Sequence, residues 1–308
     1  MVPLVITAIL PIVLLLSLGA VLRRRVLPAD AFWRGLERLT YYVFTPALFV
    51  GSIAVADLSA VPALPLAASV GAPIVVVAGL VLPLRRLLRI DGPALTSLLQ
   101  GSVRINTYVG LVFASAMHGS PGVAVFALAT AVLVPLVNVI CVSALAVHGA
   151  RAGAGPRPRG GVWRELALNP LILSCAAGLA LNLAGLRLPE FLTSLLGMLA
   201  GPAIACGTLI AGASIVLRMR RQDALPIAVA SVLRLFAVPL GAALLATQLG
   251  ISGVAYGIVV IISSVPTAPS AAVLAARLGG DVRLMAAITG VQTLLAAGTI
   301  PLVLHWTT

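Results

Sequence analysis

Of 308 residues, 61% are hydrophobic and only 9% are charged, with a formal net charge of +12. A soluble domain carries roughly 25% charged residues, so the composition excludes an ordinary soluble fold. The excess positive charge is all arginine, with no lysine, and it gathers in short connections between apolar runs, which argues against a nucleic-acid partner.

Ten apolar stretches follow one another, at about 3–22, 36–55, 61–82, 94–116, 121–147, 165–184, 191–217, 225–249, 251–276 and 284–305. In hydrocarbon a backbone must satisfy its own polar groups, so long continuous runs of this kind are expected to be helices. A β-barrel would need short alternating segments instead. The expectation is an all-α polytopic membrane protein with ten transmembrane helices. The first stretch has no positive leader, and Arg23, Arg24 and Arg25 come after it. That order predicts a retained helix with its N-terminus outside.

Further arginines cluster at Arg85, Arg86 and Arg89, at Arg151, Arg157 and Arg159, at Arg218, Arg220 and Arg221, and at Arg277 and Arg283. They fall in alternate loops, and Arg187 is the exception. The positive-inside rule puts those loops in the cytoplasm and both termini on the extracytoplasmic side of a cell (inner or plasma) membrane. The Gly-, Arg- and Pro-rich stretch 149–163 reads as a cytoplasmic linker between residues 1–148 and residues 164–308.

The two halves repeat their prolines. Pro11 and Pro170 are each followed eight residues later by glycine, Gly19 and Gly178. Pro46 corresponds to Pro202, Pro73 to Pro239 and Pro135 to Pro301, all at offsets between 156 and 166 residues. Five spans per half is an odd number, so the second half would cross the membrane in the opposite sense, as in inverted-repeat transporters. The same offset carries Asn106 onto Pro266. Pro266 and Pro269 each lack an amide hydrogen and cannot continue a regular helix. Spans four and nine are therefore expected to be broken near the midplane.

Candidate site residues follow. Arg104 lies about ten residues into span four, some 15 Å deep at about 1.5 Å per residue. All eight acids (Asp30, Glu37, Asp57, Asp91, Glu165, Glu190, Asp223, Asp281) read as loop or span-end residues. A guanidinium without an internal carboxylate suits a visiting anion, or else carbonyls freed at a helix break. Asn106 and Thr107 either bind polar groups of a substrate or cap the broken helix. Ser263, Ser264 and Thr267 bring hydroxyls to the second break, beside Pro266 and Pro269. Gln292 either bridges helices or faces a cavity. Arg234 reads as nearer the cytoplasmic end and able to snorkel there. Cys141, Cys175 and Cys206 have no metal-ligand spacing and read as small core residues. His118, His148 and His305 fall at span ends. No serine–histidine pair, metal set or P-loop is present, so an enzyme is not expected, nor is a bound metal or cofactor.

The chain resembles the auxin efflux carrier family, which includes plant PIN-type carriers and bacterial malonate-type permeases. The resemblance rests on Asn106-Thr-Tyr-Val-Gly-Leu111, Asn169-Pro170, Pro266-Thr-Ala268, Val273-Leu-Ala275 and Gly279-Gly-Asp281, in that order along nearly the whole chain. It implies two inverted five-helix repeats, helices four and nine broken and crossing at the substrate site, and an elevator-like motion. It places Asn106 and Pro266 at the crossover and implies organic-anion substrates. The chain departs from the family pattern at Val112, where a proline is usual, and at Pro269-Ser270, where Val-Asn is common. The expected function is a secondary transporter (efflux carrier or permease) for a small organic anion, most simply a carboxylate, driven as a uniport by the membrane potential. Sodium-coupled symport and a ligand sensor without transport are the alternatives. The expected partners are the anion and the bilayer, with no nucleic acid and with a homodimer left open.

Overall fold

The computed structural model describes residues 10–59, 61–150, 167–186, 188–215 and 219–307. The linker 151–163, residues 3–9 of the first predicted span, Arg187, Arg218 and Glu165 lie outside them. No strand occurs among the described residues.

Helix α1 (Leu10–Val21) runs into a π-helical turn, Leu22–Val26. After Pro28, α2 (Asp30–Leu39), the π-helical stretch Thr40–Phe44 and α3 (Thr45–Ala54) form one unbroken helical run. Asp30 sits in its first turn and pairs with Arg23, which suits a carboxylate at a helix N-terminus. The run starts six residues before the apolar stretch expected at 36–55. This first part is amphipathic, burying Trp33 and Thr40 while Arg34 and Arg38 stay exposed, so it lacks the continuous apolarity that marks a span.

Helix α4 (Ala63–Leu88) ends on Arg89 in the left-handed region. Helix α5 (Gly92–Val103), capped by the Asp91 side chain on the Ala94 amide, stops at Arg104. Helix α6 (Thr107–His148) carries a break at Gly119, whose φ of +57° and ψ of −148° end one helical limb just before Pro121 begins the next. Then come α7 (Pro170–Leu183) and α8 (Glu190–Ala213). The 3₁₀ turn Arg221–Asp223, α9 (Ala224–Val232), the π-helical stretch Leu233–Ala237 and α10 (Val238–Gln248) again form one run. Helices α11 (Gly253–Ser264), α12 (Ser270–Leu278) and α13 (Val282–Thr307) complete the chain.

Among the described residues, five helical runs are long and apolar enough to cross a bilayer: Ala63–Leu88, Gly92–His148, Glu190–Ala213, Arg221–Gln248 and Val282–Ile300. Pro170–Leu183 and Gly253–Ser264 are shorter apolar helices. The chain is a multi-pass helical membrane protein.

The helices pack in two groups. Helices α1, α3, α7 and α8 lie against one another, and α2 lies on α8. Helices α4, α5, α10, α11 and α13 form the second group, and α6 touches both. Between apolar helices in lipid, association depends on close packing rather than on the hydrophobic effect. Gly19 of α1 and Gly212 of α8 provide it: a Cβ on either would run into the backbone carbonyl of Leu209 or Leu16.

Candidate functional site

The site is built from two interruptions in apolar helices. Between α5 and α6 the backbone is extended at Arg104 (φ −73°, ψ 152°) and at Asn106 (φ −89°, ψ 96°). Asn106 is the N-cap of α6, its Oδ1 accepting from the amides of Tyr108 (3.2 Å) and Val109 (3.3 Å). Between α11 and α12, Val265 is extended and Pro269 is the N-cap of α12. The two interruptions meet, since the Asn106 amide donates to the Pro266 carbonyl at 2.8 Å. The Pro266 carbonyl, which lies between the two helices and has no place in either ladder, thus finds its partner on the other broken segment.

A cavity of about 370 Å³ lies beside this meeting point. The N-terminal ends of α6 and α12 both line it, through Asn106, Thr107, Ala268, Pro269 and Ser270. Helix N-termini carry partial positive charge, so both ends suit a negative ligand even though Asn106 takes the Tyr108 and Val109 amides and those of Ala271 and Ala272 bond the Ala268 and Pro269 carbonyls. Arg104 lines the same cavity and is half-buried. Its Nη1 donates to Asn138 Oδ1 at 3.1 Å, and Nη2 makes a long 3.5 Å contact with Ser270 Oγ. It makes no ion pair among the described residues. Asn106 is 1% exposed, and its Nδ2 has no partner in the structure. Burying an amide donor unpaired is costly, which is the mark of a group waiting for an acceptor.

The sequence candidates divide here. Arg104, Asn106, Thr107 and Pro269 line the cavity. Ser264, Pro266, Thr267 and Gln292 are buried behind it. Gln292 accepts from the Thr267 amide through Oε1 at 3.0 Å and donates from Nε2 to the Gly101 carbonyl at 2.9 Å. It therefore ties α13 to both broken helices. Thr267 Oγ1 reaches the Gln100 carbonyl at 3.4 Å, and Ser264 Oγ bonds back to the Val260 carbonyl at 2.7 Å.

Two expectations are corrected. Arg234 does not snorkel: it is fully buried, donating from Nε to the Val265 carbonyl at 2.8 Å and from Nη2 to the Ile262 carbonyl at 3.0 Å. It caps the broken end of α11, because those carbonyls lose their helical partners where the chain leaves the helix. Nor do all the acids lie at span ends. Glu37 lies inside α2, two turns beyond its start, and lines the cavity. Asn138, Ser270 and the tyrosines Tyr41 and Tyr42 also belong to the site. The asparagine in the fifth apolar stretch was the one available signal among these, since a polar side chain at that depth is itself a site marker.

Residues 159–304 match the family model described as a membrane transport protein. Over that stretch, a little under half of the chain, the sequence is similar to the auxin efflux carrier family. No curated protein matches the chain. The part matching the auxin efflux carrier family holds the second break, Arg234 and Gln292. The first break, with Arg104 and Asn106, precedes it and is joined to it by the Asn106–Pro266 bond.

Proposed function

We propose that this protein is a member of the auxin efflux carrier family and a secondary carrier for a small organic anion with a carboxylate head. One observation carries the reading: Arg104 and Asn106, whose buried Nδ2 is unpaired, line one cavity with the N-termini of two broken helices. The planar guanidinium fork suits a carboxylate, and the helix ends add fixed partial charge that needs no counterion.

In this reading the chain is ten helices in two inverted five-helix repeats. The broken pairs α5–α6 and α11–α12 are the crossing elements, and one helix group slides against the other by an elevator motion. The side carrying the arginine-rich loops is the cytoplasm. Arg38 and Arg277 line the cavity, and in this reading they mark its cytoplasmic side. An inside-negative potential contributes ~2.3 kcal/mol per charge per 100 mV and would favour export of an anion by uniport. Sodium coupling is the weaker alternative. The buried oxygens left over at the second break, such as Ser263 Oγ, adjoin Arg234, whose Nη1 is also unpaired. A cation there would meet a guanidinium.

The test is flux into proteoliposomes with radiolabelled mono- and dicarboxylates, comparing wild type with Arg104→Gln, with and without a sodium gradient. Saturable flux that weakens sharply in Arg104→Gln and ignores sodium is the expected result. Wild-type flux in Arg104→Gln would remove the main residue of the reading. Binding without flux would make the protein a sensor.

A further inference from the structure

Glu37 has no role in a site built only for anions. Its carboxylate lines the same cavity as Arg104 yet repels a negative ligand. It is half-buried and has no ion pair or hydrogen bond among the described residues. The nearby cations do not account for it. Arg38 is exposed and adjacent in sequence, and neighbouring helical residues point in different directions. Arg104 is held by Asn138 and Ser270, and Arg277 has an interaction of its own. Helix α8, which packs on α2, adds only Glu190, at its far end, and Cys206 as titratable groups. A carboxylate in a largely apolar cavity, where Val134, Val137, Val273 and Leu274 form much of the wall, needs a positive partner.

The residues around Glu37 suggest what that partner is. Tyr41, Tyr42 and Tyr108 line the cavity with it, and the rings of Tyr41 and Tyr42 meet edge to face at 5.1 Å. Aromatic faces beside a carboxylate attract an ammonium group, the rings through their quadrupoles and the carboxylate through its charge. The anion-binding groups belong to α5, α6 and α12, whereas Glu37, Tyr41 and Tyr42 belong to the run that starts with α2. The wall from the α2 run thus carries the Glu37 carboxylate, with the exposed Arg38 next to it in sequence, while Arg104 and Arg277 stand with the broken helices.

We infer that the site takes a zwitterion, a small amino acid whose carboxylate sits at Arg104 and Asn106 and whose ammonium sits at Glu37 among the tyrosines. The inference rests on the carboxylate end of the proposed function and adds the other end of the ligand. The cavity, at about 370 Å³, is in the size range of small-molecule pockets, roughly 300–1,000 Å³. Such a cargo is neutral overall, so its flux would not follow the membrane potential. A dicarboxylate would place its second charge against Glu37 and is disfavoured.

The experiment is counterflow in proteoliposomes with three probes of similar length, 4-aminobutyrate, butyrate and succinate, together with alanine and phenylalanine. At least one amino acid is expected to exceed butyrate by about tenfold in kcat/KM, with succinate weakest, and its flux is expected to ignore an imposed potassium diffusion potential. In Glu37→Gln the amino-acid preference falls by about tenfold while succinate gains; Glu37→Asp keeps the preference. Arg104→Gln weakens all the probes. Transport of butyrate and succinate without any amino acid would overturn the inference and leave the anion carrier standing. So would butyrate flux that rises in acid in wild type but not in Glu37→Gln, since a proton would then be the partner of Glu37. If no probe of any kind binds or moves, the carboxylate reading fails as well. Thermal unfolding in detergent checks that the variants fold; should Glu37→Gln fail to fold, the Glu37→Asp ranking and wild-type competition between alanine and butyrate still decide.

Discussion

Arg104 and Arg234 are the same side chain beside the two helix breaks, in opposite circumstances. Arg234 is fully buried and spends two of its donors on the carbonyls of Ile262 and Val265, the loose end of α11. Arg104 is half-buried, lines a cavity, and donates to two neutral side chains, Asn138 and Ser270, at 3.1 and 3.5 Å. The backbone ends differ in the same sense. C-terminal carbonyls of α11 are sealed by a cation, whereas the N-termini of α6 and α12 are satisfied by neutral groups and border the cavity. An arginine in a membrane costs roughly 2.5–3.5 kcal/mol at the centre of a span, and here one offsets it with backbone bonds, whereas the other, in the function proposed above, meets a ligand. What separates structure from function is the partner, not the residue type.

The comparison breaks most easily at Arg234. Arg234→Met would leave the carbonyls of Ile262 and Val265 unpaired away from water, at about 1–3 kcal/mol for each. We expect a large drop in thermal stability in detergent, with flux lost only in proportion to folded protein. Arg234→Lys, a point charge without the planar fork, should recover part of the stability. Unchanged stability in Arg234→Met would show that the second break needs no cap.

Arg104→Gln should do the reverse. Hydrogen bonds to a charged group are worth roughly 1.5–3 kcal/mol, which is about ten- to a hundredfold in apparent affinity for a carboxylate. The melting temperature should move little, because only one ordinary and one long contact to neutral side chains are lost. A variant that loses stability and keeps its KM would make Arg104 a second structural arginine and erase the contrast.

Gln292 sharpens the comparison from behind the cavity. Gln292→Leu unpairs the Thr267 amide and the Gly101 carbonyl together, which should cost about 1–3 kcal/mol in stability. Its effect on substrate should show in the rate rather than in KM, since the side chain does not line the cavity. A change in KM alone would mean that the crossover and the site cannot be treated separately.

The sequence announced the helical membrane fold through its apolar runs, and both breaks through Arg104, Asn106, Pro266 and Pro269. It did not announce which way a side chain points. The helices around Arg234 are apolar on every face, so periodicity gives depth along the helix but not direction, and a buried cap looked like a snorkelling charge. Glu37 was hidden by the opposite effect, because a polar first turn disguised the start of α2. Arg104's partners stand 34 and 166 residues away, and Gln292 reaches Gly101 across 191, separations that no local pattern encodes.

Ser264 gives the smallest expected effect and the cleanest control. It is a hydroxyl beside the second break, one residue from Val265, whose carbonyl Arg234 holds, yet its Oγ returns to the Val260 carbonyl of its own helix. Such a back-bond contributes little, because that carbonyl already has a place in the helical ladder. Ser264→Ala removes one oxygen at a site 1% exposed, without opening space for more than that atom. We expect stability within about 0.5 kcal/mol of wild type, as for changes that leave no buried partner unpaired. Flux should also be unchanged, with or without sodium. A selective loss of flux in this variant would place the hydroxyl on an ion or substrate path and move the functional boundary to the sealed side of the crossover. Arg234 would then have to be counted with the site rather than against it.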